Sequence, residues 1–332
     1  MKNNKLTLKE IAYEANVSVS TVSRVISNSP NVNSETREKV LSVMNNSNLT
    51  YLKRKTGLIA MVVPDNLNPF FPLLLKSIES ISRLMNYNLI LCNSEYNSKI
   101  ESSIIDQLSN IHIDGLIFIG AGKPPEVLKK MSKDKTLPIV CLDRDPGLEN
   151  VSTVTIDNKE AMFQATSYLF SLGHHDILYM SGPKHLSTEK ERYLGFLKAF
   201  HERSIYFNPK NIRYGNYFLN DAANAINQLI ADGEFNYSAV CCSNDLMAMG
   251  VYKALKENGI DVPNQVSIIG FDGIPLASAM GITSIRQPYE EMGRIAIKTL
   301  YAMINDKDYI GNEILSDSSL IIRHSCKSID KK

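Results

Sequence analysis

From residue 58 onward the chain alternates short apolar runs with amphipathic stretches. GLIAMVV is followed by PFFPLLLKSIESISRLM, NLILC, SSIIDQLSN, GLIFIG and PIVCL. A second series follows it, with AMFQATSYLFSLG, DILYM, EKERYLGFLKAFHERS, NDAANAINQLIADG, SAVCC, LMAMGVYKALKENG and VSIIGF. Continuous apolar runs of strand length read as strands buried on both faces, and the segments between them carry the 3.6-residue period of helices. Strand and helix alternating in this way predict a parallel sheet covered on both sides. Two such series in tandem predict an α/β chain with two doubly wound units. Ligand chemistry is then expected at the carboxyl ends of the strands, in a cleft between the units.

The first 50 residues follow a different pattern, with three short helical stretches marked by start signals. Thr7 and Glu10 form a capping box before LKEIAYEA, Ser18 precedes VSTVSRVIS, and Ser34 precedes ETREKVLSVMNN. Between the first two helices lies Ala15-Asn16-Val17, and asparagine is one of the few side chains that accepts a left-handed turn. Two short helices around such a turn make a helix-turn-helix. Ile11, Ala12, Ala15, Val17, Val22, Val25, Val40 and Met44 have the spacing of a miniature core. That leaves Val19, Ser20, Ser23 and Arg24 on the outer face of the second helix. Such a face fits a major groove, with Arg24 reaching a guanine edge and Val19 a thymine methyl; helical spacing alone leaves a solvated three-helix cap equally open.

Charge favours the groove. The 332 residues carry 36 basic and 35 acidic side chains, yet residues 1–56 hold nine basic against four acidic, a net of +5, and the remainder is net −4. A basic module on a mildly acidic body points to a polyanion partner for the first part only. The cysteines number five, and Cys92, Cys141, Cys241 and Cys242 lie in strand-like runs. This usage fits core thiols in a reducing compartment. The N-terminus lacks the apolar stretch of a secretory signal and no apolar run approaches about 18 residues, so the expectation is a cytoplasmic protein with no membrane partner. His174-His175 is a pair that raises the question of metal, but it sits in a turn ahead of a strand. No nucleophile elbow, phosphate loop, H-E-x-x-H or dinucleotide fingerprint is found, so the chain is not expected to be an enzyme or to carry a cofactor.

Loops after the strands offer Phe70, Phe71, Asp143, Arg144, Asn244, Asp245 and Asp272, with Arg192 in a helix and Tyr217 beside a turn. Carboxylate, amide and guanidinium groups bond hydroxyls directionally, and an aromatic face covers the apolar side of a sugar or base. Each also has a structural reading. Phe71 is expected in the core, Arg144 in an ion pair, and Asp245 as the N-cap of LMAMGVYKAL.

LTLKEIAYEANVSVSTVSRVISNSPNVNSETREKV resembles the headpiece of LacI/GalR-family transcriptional regulators, through V-S-x-x-T-V-S-R-V and T-R-E-K-V. The resemblance continues through PDNLNPFF, HIDGLIFIG, VCLDRD, SLGHHDILYMSGP, ERYLGF, SNDLMAMGVYKAL, VSIIGFDGIPLAS and SIRQPYEEMG. It implies a helix-turn-helix headpiece over 1–50, a linker over 51–56, and a periplasmic-binding-protein-like core over 57–332. Within the core, subdomain 1 would take about 57–156 and 287–312, and subdomain 2 about 157–286 and 313–332. By family position Val19, Ser20 and Arg24 read bases, while Thr7, Ser18, Thr21, Ser23 and Thr36 contact phosphates. Phe70, Asp143, Arg192, Tyr217, Asn244 and Asp272 match effector-contacting sites; Asp272 is followed by Gly273 where the family often has a second polar residue. The resemblance further implies a homodimeric repressor of operator DNA, controlled by a sugar or sugar derivative. Two alternatives are a regulator controlled by a partner protein with a vestigial cleft, and a soluble sugar receptor that does not bind DNA.

The joint departs from the family. Between Tyr51 and Gly57 stand only Leu52-Lys53-Arg54-Lys55-Thr56, where the family has a segment that folds into a hinge helix and wedges a leucine into the minor groove. Five residues span roughly 8 Å as helix or about 17 Å extended. The expectation is that Lys53, Arg54 and Lys55 supply a salt-sensitive phosphate contact in place of that helix, with Leu52 the one candidate for a wedge.

Overall fold

The computed structural model describes residues 8–26, 29, 31–46, 56–306 and 308–329. Thr7, Leu52, Lys53, Arg54 and Lys55, on which several expectations rest, lie outside the described residues. The chain divides into two compact units, Met1–Lys55 and Thr56–Lys332.

In the first unit, α1 (Leu8–Glu14), α2 (Val19–Ile26) and α3 (Ser34–Asn46) close on one small core. Ile11, Ala12, Ala15, Val22, Val25 and Val40 are buried there, with Leu8, Val17, Val32, Val43 and Met44 packed against them. Asn16 turns the chain between α1 and α2 at φ 53°, as the sequence predicts. Ser18 caps α2, its hydroxyl accepting from Thr21 N–H at 3.0 Å. The cap of α3 is Asn33, whose Oδ1 accepts from Thr36 N–H at 2.8 Å, one residue before the expected Ser34. An asparagine oxygen extends one bond further than a serine hydroxyl and serves as well at this position.

The second unit begins with its backbone held in place, since the Asp114 carboxylate accepts from Thr56 N–H at 3.1 Å and Gly57 N–H at 2.8 Å. Its first half runs β1 (Leu58–Val63), α4 (Phe70–Leu84), β2 (Asn88–Asn93), α5 (Ser98–Asn110), β3 (Gly115–Phe118), α6 (Glu126–Lys133), β4 (Ile139–Leu142) and β5 (Ser152–Ile156). The second half runs α7 (Asn158–Ser171), β6 (Ile177–Ser181), α8 (Ser187–His201), β7 (Ile212–Tyr214), α9 (Leu219–Ala231), β8 (Ala239–Cys242), α10 (Asp245–Glu257), β9 (Ser267–Asp272), α11 (Pro275–Ala279) and β10 (Thr283–Arg286). Then come α12 (Tyr289–Asn305), β11 (Glu313–Ser316) and β12 (Ser319–Ile321).

Two six-stranded sheets result, ordered β11-β5-β4-β3-β1-β2 and β12-β10-β9-β8-β6-β7. Every pairing within them is parallel except β10 with β12. Because alternate residues of a strand face opposite sides, Ile59, Met61 and Val63 of β1 enter one apolar cluster while Ala60 and Val62 enter another with Ile105, Leu108 and Leu128. Both faces of the sheet are thus covered, which is what the unbroken apolar runs require.

The chain changes lobe three times. It crosses after β5 and again after β10, since α12 packs on α4 in the first lobe. The third crossing differs from the expected position. Glu313–Ser316 pairs in parallel with β5, so the first lobe extends past 312 and the switch falls between Ser316 and Ser319. Nothing in the composition of residues 306–319 marks the change, because β11 is an edge strand with one buried residue, Ser316.

Candidate functional site

In each sheet the strand order reverses at the first strand of the lobe, β1 in one and β6 in the other. The carboxyl end of a sheet beside such a reversal opens a crevice, because the flanking connections leave to opposite faces. The two crevices face each other across a narrow cavity lined by Asn68, Phe70, Phe71, Tyr96, Asp143, Arg144, Thr188, Arg192, Tyr217, Asn244 and Asp272. All six residues expected at an effector site, drawn from separate segments of the chain, converge here.

Its charges are matched internally. Arg144 donates to Asp143 Oδ2 through Nε at 3.2 Å and Nη2 at 3.0 Å, and to the Gly120 carbonyl through Nη1 at 3.0 Å. The ion pair expected of Arg144 is present, and it is itself part of the cavity wall. Arg192 donates to Asn158 Oδ1 at 2.8 Å and to the Ser243 carbonyl at 2.6 Å, and lies 3.8 Å from Asp272 Oδ1. Its guanidinium stacks 3.8 Å from the centre of the Phe271 ring, an arrangement favourable to a desolvated cation. Asp272 Oδ1 also accepts from Gln287 Nε2 at 2.9 Å. Burial raises the Asp272 pKa well above the usual carboxylate range, with Arg192 opposing and Asp245 adding to the rise.

Asn244 takes the capping part expected of Asp245 while keeping its place in the cavity wall. Asn244 is the N-cap of α10, Oδ1 accepting from Met247 N–H at 2.9 Å while Nδ2 donates to the Tyr217 carbonyl at 3.3 Å. Both ends of its amide are engaged, so it shapes the wall and holds the Tyr217 loop. Asp245, expected as the cap, is wholly buried behind it, accepting from Ser284 Oγ at 2.6 Å and Ile274 N–H at 2.8 Å. It ties α10 to the loop that follows β9, and burial raises its pKa too.

Phe71 is in the core as expected, 3% exposed, yet its ring meets that of Phe70 edge-on at 5.4 Å and both reach the cavity. Tyr217 lies against Gly182, where a Cβ would come within 2.2 Å of the tyrosine ring. The Tyr217 hydroxyl is buried beside the Thr188 side chain, with no other hydrogen-bond partner among the described residues. Burial raises its pKa, so it remains a neutral phenol. Its free lone pair or proton is available to a ligand hydroxyl in the cavity.

Asn68, Tyr96 and Thr188 were not anticipated. Asn68 Oδ1 accepts from Phe70 N–H at 3.1 Å, a turn bond legible in N-P-F-F. Thr188 lies one turn of α8 before Arg192 and so shares its face. The imidazole of His174 is bonded on both sides, Nδ1 to Ser238 Oγ at 3.0 Å and Nε2 to the Lys327 carbonyl at 3.1 Å. Among the described residues no group of three His, Cys, Asp or Glu side chains is placed to hold a metal ion.

On the first unit, Val19, Ser20, Ser23 and Arg24 are exposed along α2, while Thr21 and Thr36 are half-buried. Ser18 Oγ lies 2.7 Å from both Ser20 Oγ and Thr21 Oγ1, which gathers three hydroxyls at the start of α2. Backbone N–H groups and the positive end of the helix dipole also lie there, so this corner suits a phosphate.

Comparisons with known proteins agree with both units. Residues 7–50 match the family described as "Bacterial regulatory proteins, lacI family", and residues 56–324 match "Periplasmic binding proteins and sugar binding domain of LacI family". The HTH-type transcriptional regulator RegA of Clostridium acetobutylicum is 34% identical, over 97% of this chain and 99% of its own. The HTH-type transcriptional repressor PurR of Histophilus somni is 31% identical over 97% and 99%. Among solved structures, a transcriptional regulator CelR–cellobiose complex superposes with a TM-score of 0.74 at 26% identity, covering 97% of this chain and 100% of its own.

Proposed function

Because the chain belongs to the LacI family, we propose that it is a transcriptional repressor, not an enzyme, whose operator binding is set by a small neutral polyhydroxylated effector held between the two lobes. One observation carries the choice of effector: each cavity arginine already faces a cavity carboxylate, Arg144 with Asp143 and Arg192 with Asp272. A phosphorylated ligand would meet two carboxylates with no uncommitted cation beside them among the described residues, and a buried anion without a partner is costly. What the cavity offers instead is the second oxygen of each carboxylate, the Tyr217 and Thr188 hydroxyls, and aromatic faces from Phe70 and Phe71. That combination complements ring hydroxyls on its polar side and ring C–H groups on its apolar side.

On the DNA side, Val19, Ser20 and Arg24 read bases in the major groove, while Ser18, Thr21, Ser23 and Thr36, with Thr7, position the headpiece on phosphates. Lys53, Arg54 and Lys55 add salt-sensitive phosphate contacts from the shortened joint. A homodimer, working in the cytoplasm, places two headpieces on a palindromic site, and linking the two half-sites raises affinity through effective concentration. The effector acts only to the extent that it binds the operator-competent and operator-released states unequally.

Isothermal titration of the purified protein with neutral monosaccharides, sugar phosphates and purines tests the reading. A saturable heat from a neutral sugar and none from its phosphate is expected. Tight binding of the phosphate alone would refute the charge argument, and silence across the panel would favour control by a partner protein.

A further inference from the structure

The two lobes share a detail finer than strand order. β2 and β7 hold the same place in their sheets, each at the edge beside the lobe's first strand. The loops that follow them are built alike. In the first lobe Ser94 N–H donates to the carbonyl of Val63, the last residue of β1, at 2.9 Å, and Asn97 N–H returns to the Ser94 carbonyl at 2.8 Å. In the second, Gly215 N–H donates to the carbonyl of Ser181, the last residue of β6, at 2.9 Å, and Phe218 N–H returns to the Gly215 carbonyl at 2.7 Å. The two central residues of each turn are left-handed: Glu95 and Tyr96 at φ 54° and 51°, Asn216 and Tyr217 at 52° and 69°.

Turns with two successive positive φ values are dominated by glycine, asparagine and aspartate. A tyrosine at the second central position is costly, and such strain persists where surrounding contacts or function hold it. Here it occurs at the same place in both lobes, and both tyrosines line the cavity. The lobes also touch through these loops. The Tyr96 ring meets Phe218 edge-on, centroids 6.0 Å apart and planes at 81°, a favoured aromatic geometry. Tyr96 is half-buried as a residue, whereas its hydroxyl is shielded inside, within the electrostatic influence of Arg144, Asp143 and Asp272.

We propose that Tyr96 is the first lobe's counterpart of Tyr217, a ligand-gripping jaw, and that its edge contact with Phe218 latches the cleft shut over the effector. This rests on the reading of the cavity as an effector site. The second lobe then does two things with adjacent residues: Tyr217 touches the ligand and Phe218 senses the closed partner loop. A ligand filling the space between the two tyrosines thereby favours the state in which the latch is made.

The test uses Tyr96→Gly in the full chain. Glycine removes the ring while relieving the left-handed strain, so folding is preserved and the ligand-free unfolding midpoint is expected to stay level or rise. Affinity for whichever panel sugar the parent protein binds should fall at least tenfold, and Tyr96→Phe should lose only part of that. Affinity within twofold of the parent for Tyr96→Gly overturns the jaw. The latch is read without any ligand. The chain has no tryptophan, so Phe218→Trp places the sole tryptophan, selectively excited at long wavelength, at the contact. Adding Tyr96→Gly should then shift its emission to the red and raise acrylamide quenching severalfold; unchanged emission overturns the latch. If the parent protein binds nothing in the panel, the effector reading and the jaw fail together, and the emission result still decides the latch.

Discussion

The headpiece and the cavity reach function by opposite routes. In the headpiece a handful of small apolar side chains is buried, and the groups proposed to read bases, Val19, Ser20 and Arg24, are exposed. In the cavity the groups proposed to hold the effector are inside, 2–6% exposed for Phe70, Asp143, Arg144, Arg192, Tyr217, Asn244 and Asp272, and are drawn from segments about 200 residues apart. Changing an exposed base-reading side chain such as Val19, Ser20 or Arg24 should therefore cost binding and little stability. A buried reader must satisfy its charges within the protein, so changing one costs both. Substitutions should separate the two regions on that axis.

The largest effect is expected from Arg192→Ala. It leaves Asp272 buried without its cation and removes the bonds to Asn158 and the Ser243 carbonyl. Breaking one side of a buried pair costs about 3–5 kcal/mol, so denaturant unfolding should show the body destabilised by that order and the effector heat abolished. A loss below about 1 kcal/mol would mean that water reaches the site and the charges are not matched internally.

Arg24→Ala should contrast with this. Operator discrimination is expected to fall by about 1–3 kcal/mol per half-site, while the unfolding of the body and the effector affinity stay unchanged. Replacing Lys53, Arg54 and Lys55 together by alanine should lower the slope of log affinity against log salt by about 2 to 3 per headpiece, since each phosphate contact contributes about 0.9. An unaltered slope would show that the joint makes no phosphate contact.

A smaller effect separates the regions by pH. Asp245, Glu189 and Glu101 all have pKa values raised by burial. An acid whose folded pKa exceeds its unfolded value stabilises fully below the unfolded pKa, about 4, and that contribution is lost as pH rises through the folded value. The body's unfolding free energy should therefore decline upward from about pH 4 on account of these groups, and Asp245→Asn should flatten the decline. The smallest effect is expected at Asn33→Ala, which removes the α3 cap. It should lower the headpiece melting temperature by the equivalent of about 1 kcal/mol and leave the cavity untouched.

Much of this architecture was legible because the signals were strong and local. Unbroken apolar runs gave the central strands, and Asn16 gave the turn of the helix-turn-helix. Strands whose inward positions are threonine or serine were harder to see. β5 reads STVTI, and its threonines are buried by packing and side-chain bonds, not by their apolarity. β7 is a three-residue edge strand and β11 carries one buried residue, so neither has a pattern to read, and the third crossing was misplaced for that reason. At the cavity, the capping of α10 by Asn244 in place of Asp245 depends on whether Ser284 and Ile274 N–H lie within reach of Asp245, which adjacent sequence does not encode. Tyr96 had a signal of a kind, since its loop repeats the turn around Tyr217, but the repeat is one of backbone geometry and the two stretches share only the tyrosine.

The central claim is that one molecule couples occupancy of a charge-balanced cavity to the grip of a basic three-helix reader on DNA. Fluorescence anisotropy of a labelled genomic operator duplex, titrated with the full-length protein at fixed moderate salt with and without a saturating neutral sugar, tests it most directly. The account predicts a preference for the operator over random duplex, and an operator affinity that changes at least fivefold on adding the sugar for the parent protein, with no such change for Arg192→Ala. Equal affinity for operator and random DNA, or a sugar that binds without moving the operator affinity, would contradict it.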